Sequence, residues 1–237
     1  LGLQRLRRLA PATTISGLSA TVRDPAALAR WLAGNRRPPA RIVTPAPGIA
    51  APPQLAMLGT DGPLPWAGHS ADHALGAVYE ALVANRMTLV FVNTRMQAER
   101  LFQRLWAIND RGLRIALHHG SLDAGQRRRV EAAMASGGLD AVVATSTLDL
   151  GIDWGAVDCV ISVGAPKGAS RLIQRIGRAN HRLDEASRAL LVPANRFEVL
   201  ECRAAIEAAL AGAQDAEVTR GGALDVLAQH VLGMAAA

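Results

Sequence analysis

Lysine is almost missing from this sequence. Lys167 is the single example among 237 residues, and Gly168 follows it. That excludes a phosphate-binding loop of the Gly-Lys-Thr or Gly-Lys-Ser kind, whose lysine reaches the terminal phosphates and whose hydroxyl holds magnesium. Cysteine is scarce too. Cys159 lies in an apolar run and Cys202 in a helical stretch, neither with a second cysteine at metal-ligand spacing, so no disulfide framework or cysteine metal site follows. Long hydrophobic runs are also absent: none reaches the roughly 20 residues that span a bilayer. No basic-then-apolar leader is recognisable. These absences lead us to expect a cytoplasmic protein with no membrane partner and no metal site of its own.

What is present is apolar and rich in arginine. Half of the residues are hydrophobic, enough for a sizeable core. The formal charge is +6, its positive side carried almost wholly by arginine. A planar guanidinium suits bidentate contact with phosphate. A GC-rich coding sequence accounts for abundant arginine, alanine and glycine equally well, so only arginines inside motifs carry an argument.

Residues 1–36 read as a partial unit. A helical fragment covers 3–9, a short strand 13–22, and Asp24-Pro25 opens a helix that runs to Gly34. Residues 37–69 hold eight prolines, which exclude long regular elements. We expect an interdomain linker there, with one short strand at most, over 41–44. From residue 70 apolar strands alternate with amphipathic helices. Strands are expected over 88–92, 114–117, 141–144, 157–163 and 189–192. Helices are expected over 71–85, 97–108, 123–135, 169–178 and 196–211. The alternation specifies an α/β domain over 70–213, a parallel sheet with helices on both faces. Ligands of such a sheet sit at the carboxyl ends of its strands. Residues 214–237 hold a polar stretch, Gly221-Gly222 and a new apolar helix over 223–234, the first element of a further domain.

Three expected strands end in polar residues: Asn93-Thr94-Arg95, His118-His119-Gly120-Ser121 and Thr145-Ser146-Thr147. Hydroxyls and backbone amides there suit phosphate contact, and helix capping accounts for Thr94 and Ser121 equally well. The histidine pair has no third ligand near in sequence and does not read as a metal site. The third loop continues to Gly151-Ile152-Asp153, where Asp153 suits either a ribose hydroxyl or a cap. Then comes Gln174-Arg175-Ile176-Gly177-Arg178-Ala179-Asn180-His181-Arg182. Helical spacing places Gln174, Arg178 and His181 on one face, and Arg171, Arg175, Arg178 and Arg182 in an overlapping stripe. Like charges at this spacing repel. With no acid between them, the arginines fit an anionic ligand or a generic basic surface. Ser19-Ala20-Thr21 alone carries little information.

In this order, Ser19-Ala20-Thr21, Val90-Phe91-Val92-Asn93-Thr94-Arg95, His119-Gly120-Ser121, the Thr145 loop and the Gln174 helix resemble the C-terminal half of a superfamily 2 helicase. Gly17-Leu18-Ser19-Ala20-Thr21-Val22, Ala165-Pro166-Lys167-Gly168-Ala169-Ser170 and Leu224-Asp225-Val226-Leu227-Ala228-Gln229-His230 narrow the resemblance to the Lhr type, and most to its bacterial ligase-associated DEXH-box branch. The resemblance implies a RecA-like fold for 70–213, the end of a first RecA-like domain in 1–36 and the start of a winged helix in 214–237. It implies ATP and Mg2+ as cofactors, held mainly by the first lobe. It implies single-stranded or partly duplex DNA as partner, with DNA ligase and nuclease as repair partners.

Carried over residue by residue, the resemblance gives Ser19 and Thr21 a coupling role. It puts Asn93, Thr94, Arg95, His119, Gly120, Thr145 and Ser146 at the phosphates of the tracked strand. Gly151 and Asp153 fall beside the nucleotide. Gln174 and Arg178 face it, with Arg178 as an arginine finger on the γ-phosphate. His181 stands where many superfamily relatives have a second arginine, and the resemblance counts it with Arg178 and Gln174 among the catalytic residues. The expectation is a fragment of an ATP-dependent 3′→5′ DNA helicase acting in repair. It has no ATPase activity alone, because these 237 residues hold neither a phosphate-binding loop nor an acidic box. The alternative is a free-standing nucleic-acid-binding or regulatory module without catalysis.

Overall fold

The computed structural model describes residues 1–19, 22–34, 38–44, 52–59, 63–149, 157–179, 186–213, 215 and 222–236. They fall into two compact units, one of Ala46–Gln214 and one of Leu1–Pro45 with Asp215–Ala237.

The larger unit is built on a six-stranded parallel sheet: β1 (Gln54–Met57), β2 (Thr88–Phe91), β3 (Ile115–His118), β4 (Ala141–Ala144), β5 (Cys159–Val163) and β6 (Arg188–Val192). The order across it is β1-β6-β5-β2-β4-β3. Every residue of β2, β4 and β5 is buried, as expected of strands covered on both sides. Period-two alternation divides their side chains between two cores. Val90, Val92, Val143, Ile161 and Val163 meet α3 (Leu75–Val83) and α4 (Arg95–Ala107). Leu89, Phe91, Val142, Val160 and Leu191 meet α5 (Ala124–Ala135), α6 (Ala169–Ile176) and α7 (Arg196–Leu210).

Local chemistry fixes where the helices start. Thr94 and Gln97 form a capping box at α4: Gln97 N donates to Thr94 Oγ1 and Thr94 N donates to Gln97 Oε1. Asp123 caps α5 through the amides of Gly125 and Gln126, and Asn195 caps α7 through those of Phe197 and Glu198. At the opposite edge of the sheet, acids staple neighbouring strands. Asp140 takes the backbone and guanidinium N–H groups of Arg114, which hold its carboxyl below the ordinary range. Asp158 receives Arg86 in the same way.

The structure departs from the sequence reading at β1. A strand lies inside the proline-dense stretch, at Gln54–Met57, parallel to β6 at the sheet edge, and residues 41–44 carry none. Pro52 and Pro53 come just before it, where a missing N–H costs no ladder bond. The expected strand over 13–22 is not seen in its described residues, which have no sheet to join. The smaller unit holds α1 (Gly2–Leu9), α2 (Pro25–Ala33) and α8 (Leu224–Ala235). Asp24 caps α2 by accepting from Ala27 N, and Arg7 donates to the last carbonyls of α2, at Leu32 and Ala33. Among the described residues no helix is long and apolar enough to cross a membrane.

Candidate functional site

Because all six strands run in parallel, their carboxyl ends lie along one edge. Neighbouring β2, β4 and β3 deliver Asn93-Thr94-Arg95, Thr145-Ser146 and His119-Gly120-Ser121 to it. The three loops are tied to one another. Arg95 Nη1 donates to Ser121 Oγ at 2.8 Å, and Thr145 N donates to the His118 carbonyl at 3.2 Å. The Asn93 amide donates to the Ala165 carbonyl, joining the ends of β2 and β5. Thr94, Arg95, Gly120 and Ser146 are exposed, and Asn93 and Thr145 are half-buried. An exposed hydroxyl, a guanidinium and a glycine with open approach make an edge suited to anionic oxygens.

His119 is placed differently from a strand-facing residue. Its ring is buried. Nδ1 accepts from Ser121 N, which leaves Nε2 as the N–H side, 3.3 Å from Glu99 Oε1. The histidine shapes the turn, and the exposed residues beside it, Gly120 and Ser121, are the ones open to solvent. Ser121 is not a cap, contrary to the capping reading: Asp123 does that work, and the Ser121 hydroxyl receives Arg95.

The arginine stripe also changes. The α-helix ends at Ile176, and the next residues tighten into i→i+3 bonds, Arg178 N to Arg175 O and Ala179 N to Ile176 O. The shared face of Gln174 and Arg178 therefore does not follow from α-helical periodicity. Both side chains are half-buried. Arg175 points inward and is 1 % exposed. Its Nε donates to Asp149 Oδ1 at 2.9 Å and Nη1 to Ser162 Oγ at 3.2 Å, with the guanidinium 4.6 Å over the Phe91 ring. Arg171 Nε lies 3.3 Å from the other oxygen of Asp149. Burial pushes the Arg175 guanidinium below its ordinary value, and Asp149 opposes that shift. Two arginines of the stripe thus face an acid of this chain, and an outside anion is not needed to explain them.

Asp149 is the residue that sequence reasoning missed. Its signal was an acid between Leu148 and Leu150, followed by arginines at i and i+4 on the next helix. Thr21, Gly151, Asp153, His181 and Arg182 lie outside the described residues. Ser19 is exposed in the smaller unit.

Comparison with known proteins bears on this arrangement. Residues 73–182 match the helicase conserved C-terminal domain. The ATP-dependent helicase Lhr-Core protein 2 of Thermococcus barophilus is 33% identical over 241 residues, covering 99% of this chain and 28% of the relative. A solved structure of the Mycobacterium smegmatis helicase Lhr, bound to ssDNA and AMP-PNP, superposes with a TM-score of 0.85 at 37% identity, over 99% of this chain and 31% of that one. The C-terminal domain of the DEAD-box protein Dbp5 has a TM-score of 0.52 at 22% identity, over 67% of this chain and 86% of its own, a likeness of fold alone. The parallel sheet with its two helical layers is the RecA-like fold. The chain spans less than a third of the Lhr proteins it matches.

Proposed function

The chain is a homologue of the Lhr helicases and carries a helicase conserved C-terminal domain, and from that premise we propose that it supplies the strand-contacting and nucleotide-facing half of an ATP-dependent helicase. One observation supports this most. The polar ends of β2, β3 and β4 share one edge of the sheet, and the helix bearing Gln174 is held to the loop that follows β4. The first is a surface for the phosphates of a single strand. The second points an amide and a guanidinium at a nucleotide.

The residues present fit part of that task. Gln174 and Arg178 are a donor set for the outer oxygens of a polyphosphate. Without a Gly-Lys-Thr or Gly-Lys-Ser sequence they do not grip a whole nucleotide. In this reading magnesium and most of the nucleotide are held by the first lobe, as the motif resemblance implies. Bound ATP supplies the transferable phosphoryl group; Arg178 donates hydrogen bonds to the charge that builds there. Asn93, Thr94, Arg95, Gly120, Thr145 and Ser146 hold the strand. Residues 1–36 as the end of a first lobe, residues 214–237 as the start of a winged helix, and Ser19, Thr21, Gly151, Asp153 and His181 in the roles given above belong to the same reading. So do a DNA track, 3′→5′ movement, a cytoplasmic repair setting and ligase or nuclease partners, which rest on the motif resemblance.

The test separates two losses in the complete helicase polypeptide. Arg178→Ala should lower strand-stimulated ATP turnover by roughly 10³-fold or more, the range of arginine fingers, with single-strand affinity nearly intact. Thr145→Ala should weaken the strand first. Equal loss of turnover and affinity in Arg178→Ala would make Arg178 a structural or strand-facing residue and end its role as the finger.

A further inference from the structure

We propose that Asp149 is a positioning residue that couples the strand-contacting loop to the nucleotide-facing helix, through its paired grip on Arg171 and Arg175. The proposal rests on the functional reading above and names a part that reading does not contain.

The geometry is that of a strut. Asp149 closes the 3-10 turn Ser146–Leu148, four residues after Thr145. One carboxylate oxygen accepts a hydrogen bond from Arg175 at 2.9 Å, and the other lies 3.3 Å from Arg171 Nε in an ion pair without hydrogen-bond geometry. Those arginines are one turn apart on α6. A carboxylate that holds two points along a helix resists both sliding and rotation of that helix against the loop. Arg175 is anchored further by Ser162 of β5 and by the face of Phe91 of β2. Gln174 precedes Arg175 in sequence, and Arg178 donates its backbone N–H to the Arg175 carbonyl. Movement of the loop at Thr145 therefore reaches the residues that face the nucleotide.

Energetics argue against a purely adhesive role. Asp149 is 4 % exposed and Arg175 1 %. Taking two charges out of water is costly, and apolar residues of similar volume hold a helix to a sheet as well or better. What an apolar contact lacks is direction. Leucine and methionine side chains slide past one another, whereas the hydrogen bonds of Arg175 to Asp149 and Ser162, backed by the ion pair to Arg171, keep register.

The experiment measures coupling in the complete helicase polypeptide. Single-strand affinity is determined with and without AMP-PNP, for the unaltered protein and for the double variant Asp149→Leu with Arg175→Met, which leaves no orphaned buried charge. We expect the double variant to melt near the unaltered protein. The ratio of the two affinities should collapse toward one, a loss within the roughly 5–150-fold range of allosteric coupling. A well-folded double variant that keeps the unaltered ratio would overturn the proposal. Should the double variant fail to fold, Arg171→Met decides. It removes one of the two grips from a partly exposed position, so a lowered ratio supports the strut and an unchanged ratio overturns it. If the unaltered protein shows no effect of the analogue on strand affinity, the functional reading fails instead.

Discussion

His118 Nδ1 lies 2.8 Å from Thr147 Oγ1, so the last residue of β3 is tied to the turn that follows Thr145. The other ring nitrogen is 3.1 Å from Glu131 Oε1 of α5, and the imidazole is 2 % exposed. One buried ring thus joins two loops of the candidate strand surface to the helix behind them.

That burial has a consequence for pH. It pushes the His118 imidazole below its ordinary 6.5, outweighing the opposing pull of Glu131. Between the folded and unfolded values the unfolded chain binds more protons, so stability rises with pH. The contribution is complete above about 6.5 and is lost as pH falls from there toward the folded value. Melting temperature measured from about pH 8 down to about pH 5.5 should fall for the native chain. In His118→Gln it should fall less steeply. An unchanged slope would assign the titration to another group.

Gly164 is expected to tolerate no side chain. It follows β5 with φ of +84°, and a Cβ there would meet Asn93 Nδ2 at 2.9 Å. Gly164→Ala therefore strains the backbone by about 1–2 kcal/mol and also displaces the Asn93 amide from the Ala165 carbonyl. The melting temperature should drop by roughly 2–8 °C for a unit of this size. In an Asn93→Ala background the same substitution should cost less, because only the backbone part remains.

The alternation of strand and helix over 70–213 was legible because the strands are short apolar runs and the helices follow a 3.6-residue period. β1 was hidden by Pro52 and Pro53, since proline density looks alike in a linker and beside an edge strand. The polar strand ends were legible because polar residues directly after a buried strand stand out. What each does was not. His119 and Ser121 are adjacent in the same motif, yet one is buried against Glu99 and the other receives Arg95. Arg175 looked like one member of an outward stripe, and the acid between Leu148 and Leu150 is too weak a signal to place Asp149 beneath it. Contacts across 26 residues of chain are set by how β4 and α6 pack, which one-dimensional spacing does not encode.

The cysteines should be inert in the folded chain. Cys159 and Cys202 are fully buried. Burial pushes the Cys159 thiol up to about 11 and that of Cys202, helped by Glu198 and Glu201, to about 12. Only the thiolate attacks a disulfide reagent. Titration with Ellman's reagent near pH 8 should release no colour until denaturant is added, and then two equivalents. Rapid reaction of either thiol under native conditions would mean that its core opens locally.

Arg95 offers the most direct test of the strand surface. It is exposed at the start of α4, and its guanidinium is already oriented by the Ser121 hydroxyl. A guanidinium that neutralises one phosphate releases condensed counterions, so each such contact adds about 0.7 to the slope of log affinity against log salt for a single strand. Arg95→Ala should weaken binding of a labelled oligothymidylate and lower that slope by about 0.7. Ser121→Ala keeps the charge and frees its direction, so the slope should hold while affinity falls modestly. Loss of affinity in Arg95→Ala at an unchanged slope would place Arg95 off the phosphates, as a brace between the ends of β2 and β3.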